Sequence, residues 1–326
     1  MMLLICVFAV LPTGRAWLHT SFRTPNRVGG LNTFRLQVPH VPYATKDSEE
    51  DLSTASALPL TASDMRSAAV DAIESAYSAG LSRQRIRVLL SSPRNPNQLL
   101  PPDETWEGGI MQLYRACSPL VRKIVQKISD TPERVARLTE QRLDKSGVDG
   151  ESLWTSECAS ARNDVSAFVQ PSSEQLGNIK AVCASAGPER LVMMVNPQYR
   201  DADDTLDYIA SNGGGLFSAV AGFLGGKASF VNELDDLGFV STFILEQYVI
   251  RGSELKYFLA YPSKWQIYIT GDEGEPIFLG ESTTRPDYNK IDDLLQENKI
   301  AVKAARDLKQ APKLTPESIK VLYDAL

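Results

Sequence analysis

The sequence predicts an α/β fold: a three-layer Rossmann-like domain with a mixed sheet and a helical C-terminal tail. The sheet should be parallel in its N-terminal part and antiparallel in its C-terminal strands. Three observations carry this prediction. Val165–Gln170 and Leu191–Val195 are short apolar runs flanking the helical stretch Glu174–Ala186, the spacing of a parallel crossover. Phe239–Ile250, Leu255–Tyr261, Lys264–Thr270 and Pro276–Gly280 follow with only short turns between them, the spacing of antiparallel strands. Amphipathic stretches lie on either side of these runs and need a sheet to cover.

Taken in order, Ser63 is the expected N-cap of a first helix, Asp64–Ala79. Val70, Ile73 and Tyr77 share one of its faces, and Gly80 is its stop. Ile86–Leu90 reads as a short buried strand. A long helix should begin near Thr105. Trp106, Ile110, Leu113, Cys117, Leu120, Ile124 and Ile128 recur there at spacings of three and four, while Arg115, Arg122, Lys123 and Lys127 take the other side. Pro119 lacks the N–H of the helical ladder and should kink or split it. A polar connection leads to the crossover strands, the second closed by Asn196-Pro197. Gly271-Asp272-Glu273-Gly274 is the clearest hairpin loop, and Asp287–Lys309 and Pro316–Ala325 read as helices. The plan is therefore one α/β domain over 64–285 and a helical tail over 286–326.

Charge divides the chain unevenly. Five of the 34 basic residues but none of the 40 acidic ones lie before Asp47, so the remainder carries 29 basic and 40 acidic residues, a net charge of −11. A body that acidic is a poor nucleic-acid binder, because such binding rests on clustered cations. No nucleic-acid partner is expected. The two histidines, His19 and His40, both lie in the acid-free leader. Without the leader the chain has no imidazole, which excludes Ser-His-Asp and Cys-His nucleophiles and histidine-containing zinc sites. Cys117, Cys158 and Cys183 show no C-x-x-C spacing and read as small buried residues of a reducing compartment.

The leader reads as an address. Met2–Val10 is an apolar run too short to span a bilayer and placed like the core of a signal peptide, ending at residue 16. Residues 17–46 are rich in Ser, Thr, Arg and Pro without acids, the composition of a transit peptide, and 47–63 read as a disordered linker. Together they resemble the two-part leaders of algae with plastids of secondary origin, with Trp17 where a Phe is usual. Plastid localisation, stromal or peripherally thylakoid-attached, is expected; a plain secretory signal is the alternative. No later run is apolar enough to span a membrane.

Among candidate sites, Pro102–Gly109 is the most distinctive. Asp103, Glu104 and Glu107 gather at a helix start, where they are either first-turn acids or ligands for a hard cation such as Mg²⁺. Gly108 and Gly109 would each cost about 1 kcal/mol within a helix, which implies a neighbour packed close to the backbone. Gln112 and Arg115 should face the same groove. Asp201, Asp203, Asp204 and Asp207 follow a strand end, where α/β ligands bind, or else begin the next helix. The Gly-rich run Gly213–Lys227 fails as a phosphate loop: Ala221 and Ala228 stand where Gly and Ser/Thr are required, and Ser218 replaces the third dinucleotide glycine. It reads instead as an apolar insert bearing Phe217 and Phe223. No residue is assigned to catalysis, to a metal or to a cofactor.

Three stretches then resemble a known family. Arg87-Val88-Leu89-Leu90 with Asp103–Gln112, Val195-Asn196-Pro197-Gln198-Tyr199, and Tyr261-Pro262 with Trp265 occur in the order and spacing of an uncharacterised plastid domain of plants and algae. That family includes low photosystem II accumulation protein three, an assembly factor, and an extension of a plastid adenylate kinase. The resemblance implies a non-enzymatic plastid accessory protein acting by protein binding, with photosystem II subunits as partners. Trp106, Glu107, Asn196, Gln198, Tyr199 and Trp265 are then candidate contact residues, beside Phe217 and Phe223. An Mg-dependent enzyme on a phosphorylated metabolite or nucleotide, and a module for a small apolar ligand, stand as alternatives.

Overall fold

The computed structural model describes residues 57–92, 95–100, 109–132, 134–198, 232–250 and 252–297. The chain enters through α1 (Ala62–Ser78), capped two residues earlier than expected, by Thr61 rather than Ser63. The Thr61 hydroxyl accepts from the Asp64 N–H at 3.1 Å and donates to the Asp64 carboxylate at 2.7 Å. Both bonds need Asp64 at the third helical position, which selects Thr61 as the cap. Gly80 ends the helix with φ +88, a conformation that glycine adopts without strain.

β1 (Arg83–Arg87) follows, then a hairpin of β2 (Leu90–Ser92) and β3 (Asn95–Leu100). The expected strand Ile86–Leu90 is thus two strands with a break at Val88 and Leu89. α2 (Gly109–Ser129) runs unbroken through Pro119. The polar connection after it contains two strands, β4 (Arg137–Arg142) and β5 (Ser152–Glu157). β6 (Ser166–Val169), α3 (Leu176–Ala186) and β7 (Val192–Val195) form the predicted crossover. A short helical turn at 232–236 precedes β8 (Val240–Ile250). β9 (Ser253–Ala260), β10 (Trp265–Thr270) and β11 (Pro276–Ser282) then lead to α4 (Tyr288–Glu297).

Nine strands make one sheet in the order β11-β10-β9-β8-β1-β7-β6-β5-β4. Its four central strands, β8, β1, β7 and β6, are mutually parallel. The antiparallel C-terminal strands extend one side, as expected, and β5 and β4 add an antiparallel edge on the other. The sheet is therefore mixed and the fold α/β. No helix among the described residues is long and apolar enough to cross a membrane.

Alternation along each strand sorts the side chains into three layers. Ala167, Val169, Met193, Val195, Phe243 and Leu245 face one way, into a core shared with Met65 and Ile73 of α1 and Cys117, Val121 and Ile124 of α2. Phe168, Val192 and Met194 face the other way and pack on Ile179 and Cys183 of α3. On that second face Ile244, Leu255, Tyr257, Trp265 and Ile267 meet Ile291 and Leu295 of α4. Because these strands are buried on both faces, they read as continuous apolar runs.

Buried polar side chains tie the layers together. Gln84 donates to the Ile73 and Leu81 carbonyls and accepts from the Thr242 hydroxyl at 2.8 Å, joining α1, β1 and β8. Arg83 sends its guanidinium to the carbonyls of Cys183, Gly187 and Arg190. The Cys183 and Gly187 carbonyls lie at the C-terminal end of α3, where a cation complements the helix dipole, and the Arg190 carbonyl lies just before β7.

Cys117 is fully buried, and burial pushes its thiol up to about 12; burial also raises Cys183, against the pull of Arg83. Cys158 departs from the expectation, being only partly buried. Native protein treated with iodoacetamide is therefore expected to label at Cys158 first, and at Cys117 only after denaturation. Mapping the modified sites by mass spectrometry checks this, and rapid labelling of Cys117 would contradict the packing.

Candidate functional site

The carboxyl ends of β1, β7 and β6 are where an α/β sheet of this kind takes a ligand. β1 leaves the sheet toward α2 on one face. β7 leaves toward the stretch before β8, whose Leu234 and Phe239 pack on the opposite face. The crevice between β1 and β7 is thus the switch point of the topology.

Asn196 occupies it. The residue follows β7 directly, is 4% exposed and has φ +48. Its Nδ2 donates to the Val88 carbonyl at 3.0 Å, and its Oδ1 accepts from the Val88 N–H at 2.8 Å. An amide side chain has one donor and one acceptor side, so it substitutes for a strand neighbour where β1 has ended. Its own backbone N–H bonds the Ile86 carbonyl at 2.9 Å. Left-handed φ favours Asn among non-glycine residues, which explains why this type stands here.

One strand over, Gln170 repeats the conformation at the end of β6, with φ +49 and 3% exposure. Its N–H bonds the Val195 carbonyl, and its carbonyl accepts from Gln198 Nε2 at 2.9 Å. Among the described residues its Oε1 is buried with no hydrogen-bond partner. Gln198 also donates to the Asp149 carbonyl at 3.3 Å, reaching the loop between β4 and β5. In that loop Asp144 accepts from the Ser146 hydroxyl and from the N–H groups of Ser146 and Asp149. Those bonds, the Ser146 hydroxyl foremost, hold its carboxyl at about 2. Nearby, buried Glu151 accepts from the Ser172 N–H at 2.6 Å and from Gln175 Nε2. Apart from Gln170 Oε1, these polar groups are engaged with one another.

The same loop fixes the first turns of α2. Gly150 has φ +66, and a Cβ there would lie 2.7 Å from Tyr114 Cβ and 3.3 Å from the Ile110 carbonyl. Tyr114 in turn donates to Glu140 Oε1 at 2.5 Å, joined there by the hydroxyls of Ser118 and Ser152. Trp154 Nε1 donates to the Ser118 hydroxyl at 2.9 Å. Burial alone would raise the Glu140 carboxyl; the three hydroxyls and Arg142 outweigh it and hold the group low. Gly150→Ala is expected to lose about 1–3 kcal/mol from overpacking and about 1–2 kcal/mol more from the left-handed backbone. Urea unfolding reads the loss, and an unchanged midpoint would mean that this contact does not exist in solution.

The predicted site residues fare differently. Asn196 and Gln198 meet at the crevice as structural ties. Gly109 opens α2 with φ +58, and among the described residues nothing would lie within 4 Å of its Cβ. Its left-handed φ is one reason for glycine here, and no described residue supplies the close-packed neighbour expected against it. Gln112 is half-buried and Arg115 exposed on the following turn. Trp265 is 7% exposed in the core beneath α4, with the Arg285 guanidinium 5.2 Å above its ring, so it presents no surface anchor. Tyr261–Pro262 is a cis peptide. Trp106, Glu107, Gly108, Tyr199, Phe217 and Phe223 lie outside the described residues, as do the acids at 103, 104, 201, 203, 204 and 207. Among the described residues no group of three or more His, Cys, Asp or Glu could hold a metal ion.

A second polar cluster went unforeseen. Glu246 of β8 bonds Arg285 at 2.6 Å and the Tyr248 hydroxyl at 3.0 Å, with Arg87 of β1 at 3.4 Å. Neither arginine had a signal in periodicity, since Arg87 ends β1 and Arg285 lies in the connection between β11 and α4.

The fold and this crevice define an α/β protein in which a buried asparagine ties the end of β7 to the segment after β1, where such sheets take a ligand. The chain belongs to the DUF1995 family, a domain of unknown function, whose model matches residues 59–293. No curated protein and no solved structure matches it.

Proposed function

We propose that this protein is a non-enzymatic accessory factor of the plastid that acts by binding other proteins, with photosystem II subunits as partners and their assembly as its task. The observation that carries the reading is the pairing of Asn196 with Val88. Both hydrogen-bonding sides of its amide are engaged by one backbone residue in the crevice where an α/β enzyme would seat its substrate. This supports recognition at an outer surface over turnover in a crevice. The two-part character of the leader and the family resemblance support the plastid, at the stroma or against the thylakoid surface.

Thermal unfolding in the presence of Mg²⁺ with nucleotides and sugar phosphates tests the absence of a small-molecule substrate. A ligand at a hundred times its dissociation constant would add about 2.7 kcal/mol. No shift is expected with any of them. A reproducible shift that depends on Mg²⁺ would replace this reading with an enzymatic one.

A further inference from the structure

We infer that the groove between α1 and α2 binds an acidic peptide segment of a partner protein. This rests on the protein-binding reading above and names the chemistry of the partner. The groove encloses about 740 Å³ and is lined by Arg66 of α1 and by Arg122, Lys123 and Lys127 of α2. Val70 and Pro119 supply apolar wall between these heads. Only two acids, Asp71 and Asp130, share the lining, and Asp130 is already engaged by Gln126 and by the Ala136 N–H.

Its electrostatics run against the rest of the chain. α2 holds four cations, counting Arg115, and no acidic residue over Gly109–Ser129, in a protein with 40 acids. Among the described residues none of the four groove cations has a carboxylate within ion-pair distance, although other arginines and lysines do. Arg122 instead lies 6.0 Å over the Trp154 ring. A local concentration of positive charge on an acidic body steers and selects a partner of the opposite sign.

The shape selects among anions. Cys117, Val121, Ile124 and Val125, the apolar side of α2, are buried in the core, so this helix has no apolar face to insert into a bilayer. A concave groove between two helices suits an extended or helical chain more than a flat headgroup surface. Long polyanions would also meet the acidic remainder of the molecule, whereas a short acidic segment meets the local patch within a Debye length.

The test uses the full chain and a fluorescein-labelled peptide of alternating glutamate and serine, followed by anisotropy. Saturable binding that weakens with salt is expected, and Arg122→Gln with Lys123→Gln should weaken it about tenfold or more. The remote control Lys145→Gln should change nothing, and circular dichroism confirms folding of each variant. No binding, or binding indifferent to the Arg122 and Lys123 changes, overturns the inference. Preferential binding to phosphatidylglycerol vesicles over the peptide would also overturn it, in favour of a membrane site. If the peptide fails while plastid proteins are still recovered with the tagged chain, the groove is wrong and the protein-binding reading stands.

Discussion

Replacing Asn196 with alanine is expected to be among the most damaging single changes in the described part of the protein. The substitution leaves the Val88 N–H and carbonyl, both in a residue 1% exposed, without their partners. Each buried group so orphaned costs about 1–3 kcal/mol. Alanine must also hold φ +48, a left-handed conformation that costs about 1–2 kcal/mol. Two further variants separate these causes. Asn196→Gly relieves the backbone but not the orphaned pair, so it should recover only the smaller part. Asn196→Asp keeps an acceptor for the Val88 N–H but sets a carboxylate against the Val88 carbonyl, and should remain close to alanine. Chemical denaturation ranks the three; a glycine variant as stable as wild type would show that the amide closes nothing.

Loss of Glu246 should be as severe, for an electrostatic reason. Its carboxylate sits between Arg285 and Arg87, in a cluster whose side chains are 11–14% exposed. Burial alone would push the carboxyl up, but the two guanidinium groups and the Tyr248 hydroxyl outweigh it and hold Glu246 below the ordinary 4.5. Glu246→Ala removes the buried carboxylate that both guanidinium groups share, which costs about 3–5 kcal/mol. The sign of the pH dependence follows from the lowered folded value. This stabilisation is fully present above the unfolded value near 4.5 and is lost as pH falls through the folded one. The melting-temperature gap between wild type and Glu246→Gln should therefore be wide at neutral pH and close in acid. A gap that widens in acid would reverse the assignment.

Much of the fold was readable because its central strands are buried on both faces. Val165–Gln170 and Leu191–Val195 stand out as apolar runs for that reason, and the strands after Phe239 are divided by recognisable turns. β4 escaped notice because it is an exposed edge strand, Arg137–Arg142, in which only Leu138 is half-buried. β5 carries buried serines, Ser152 and Ser156, at positions where an apolar residue would have announced it. β2 and β3 are short and polar, and Pro96 argues against a strand on its face. Of the site, the turn at Asn196-Pro197 was visible but its purpose was not. The partner, Val88, lies 108 residues away, and no local pattern relates the two. Gly109 has a reason that spacing does not reveal, a left-handed backbone at the start of α2.

The central claim is that this member of the DUF1995 family works by holding other proteins in the plastid. The most direct measurement is recovery of the tagged chain from isolated plastids in mild detergent, with quantitative mass spectrometry against a matched tag control. Enrichment of photosystem II subunits, reduced when Arg122 and Lys123 are changed to glutamine, is the result this account predicts. A chain recovered alone from plastids, or never found in them, would contradict it.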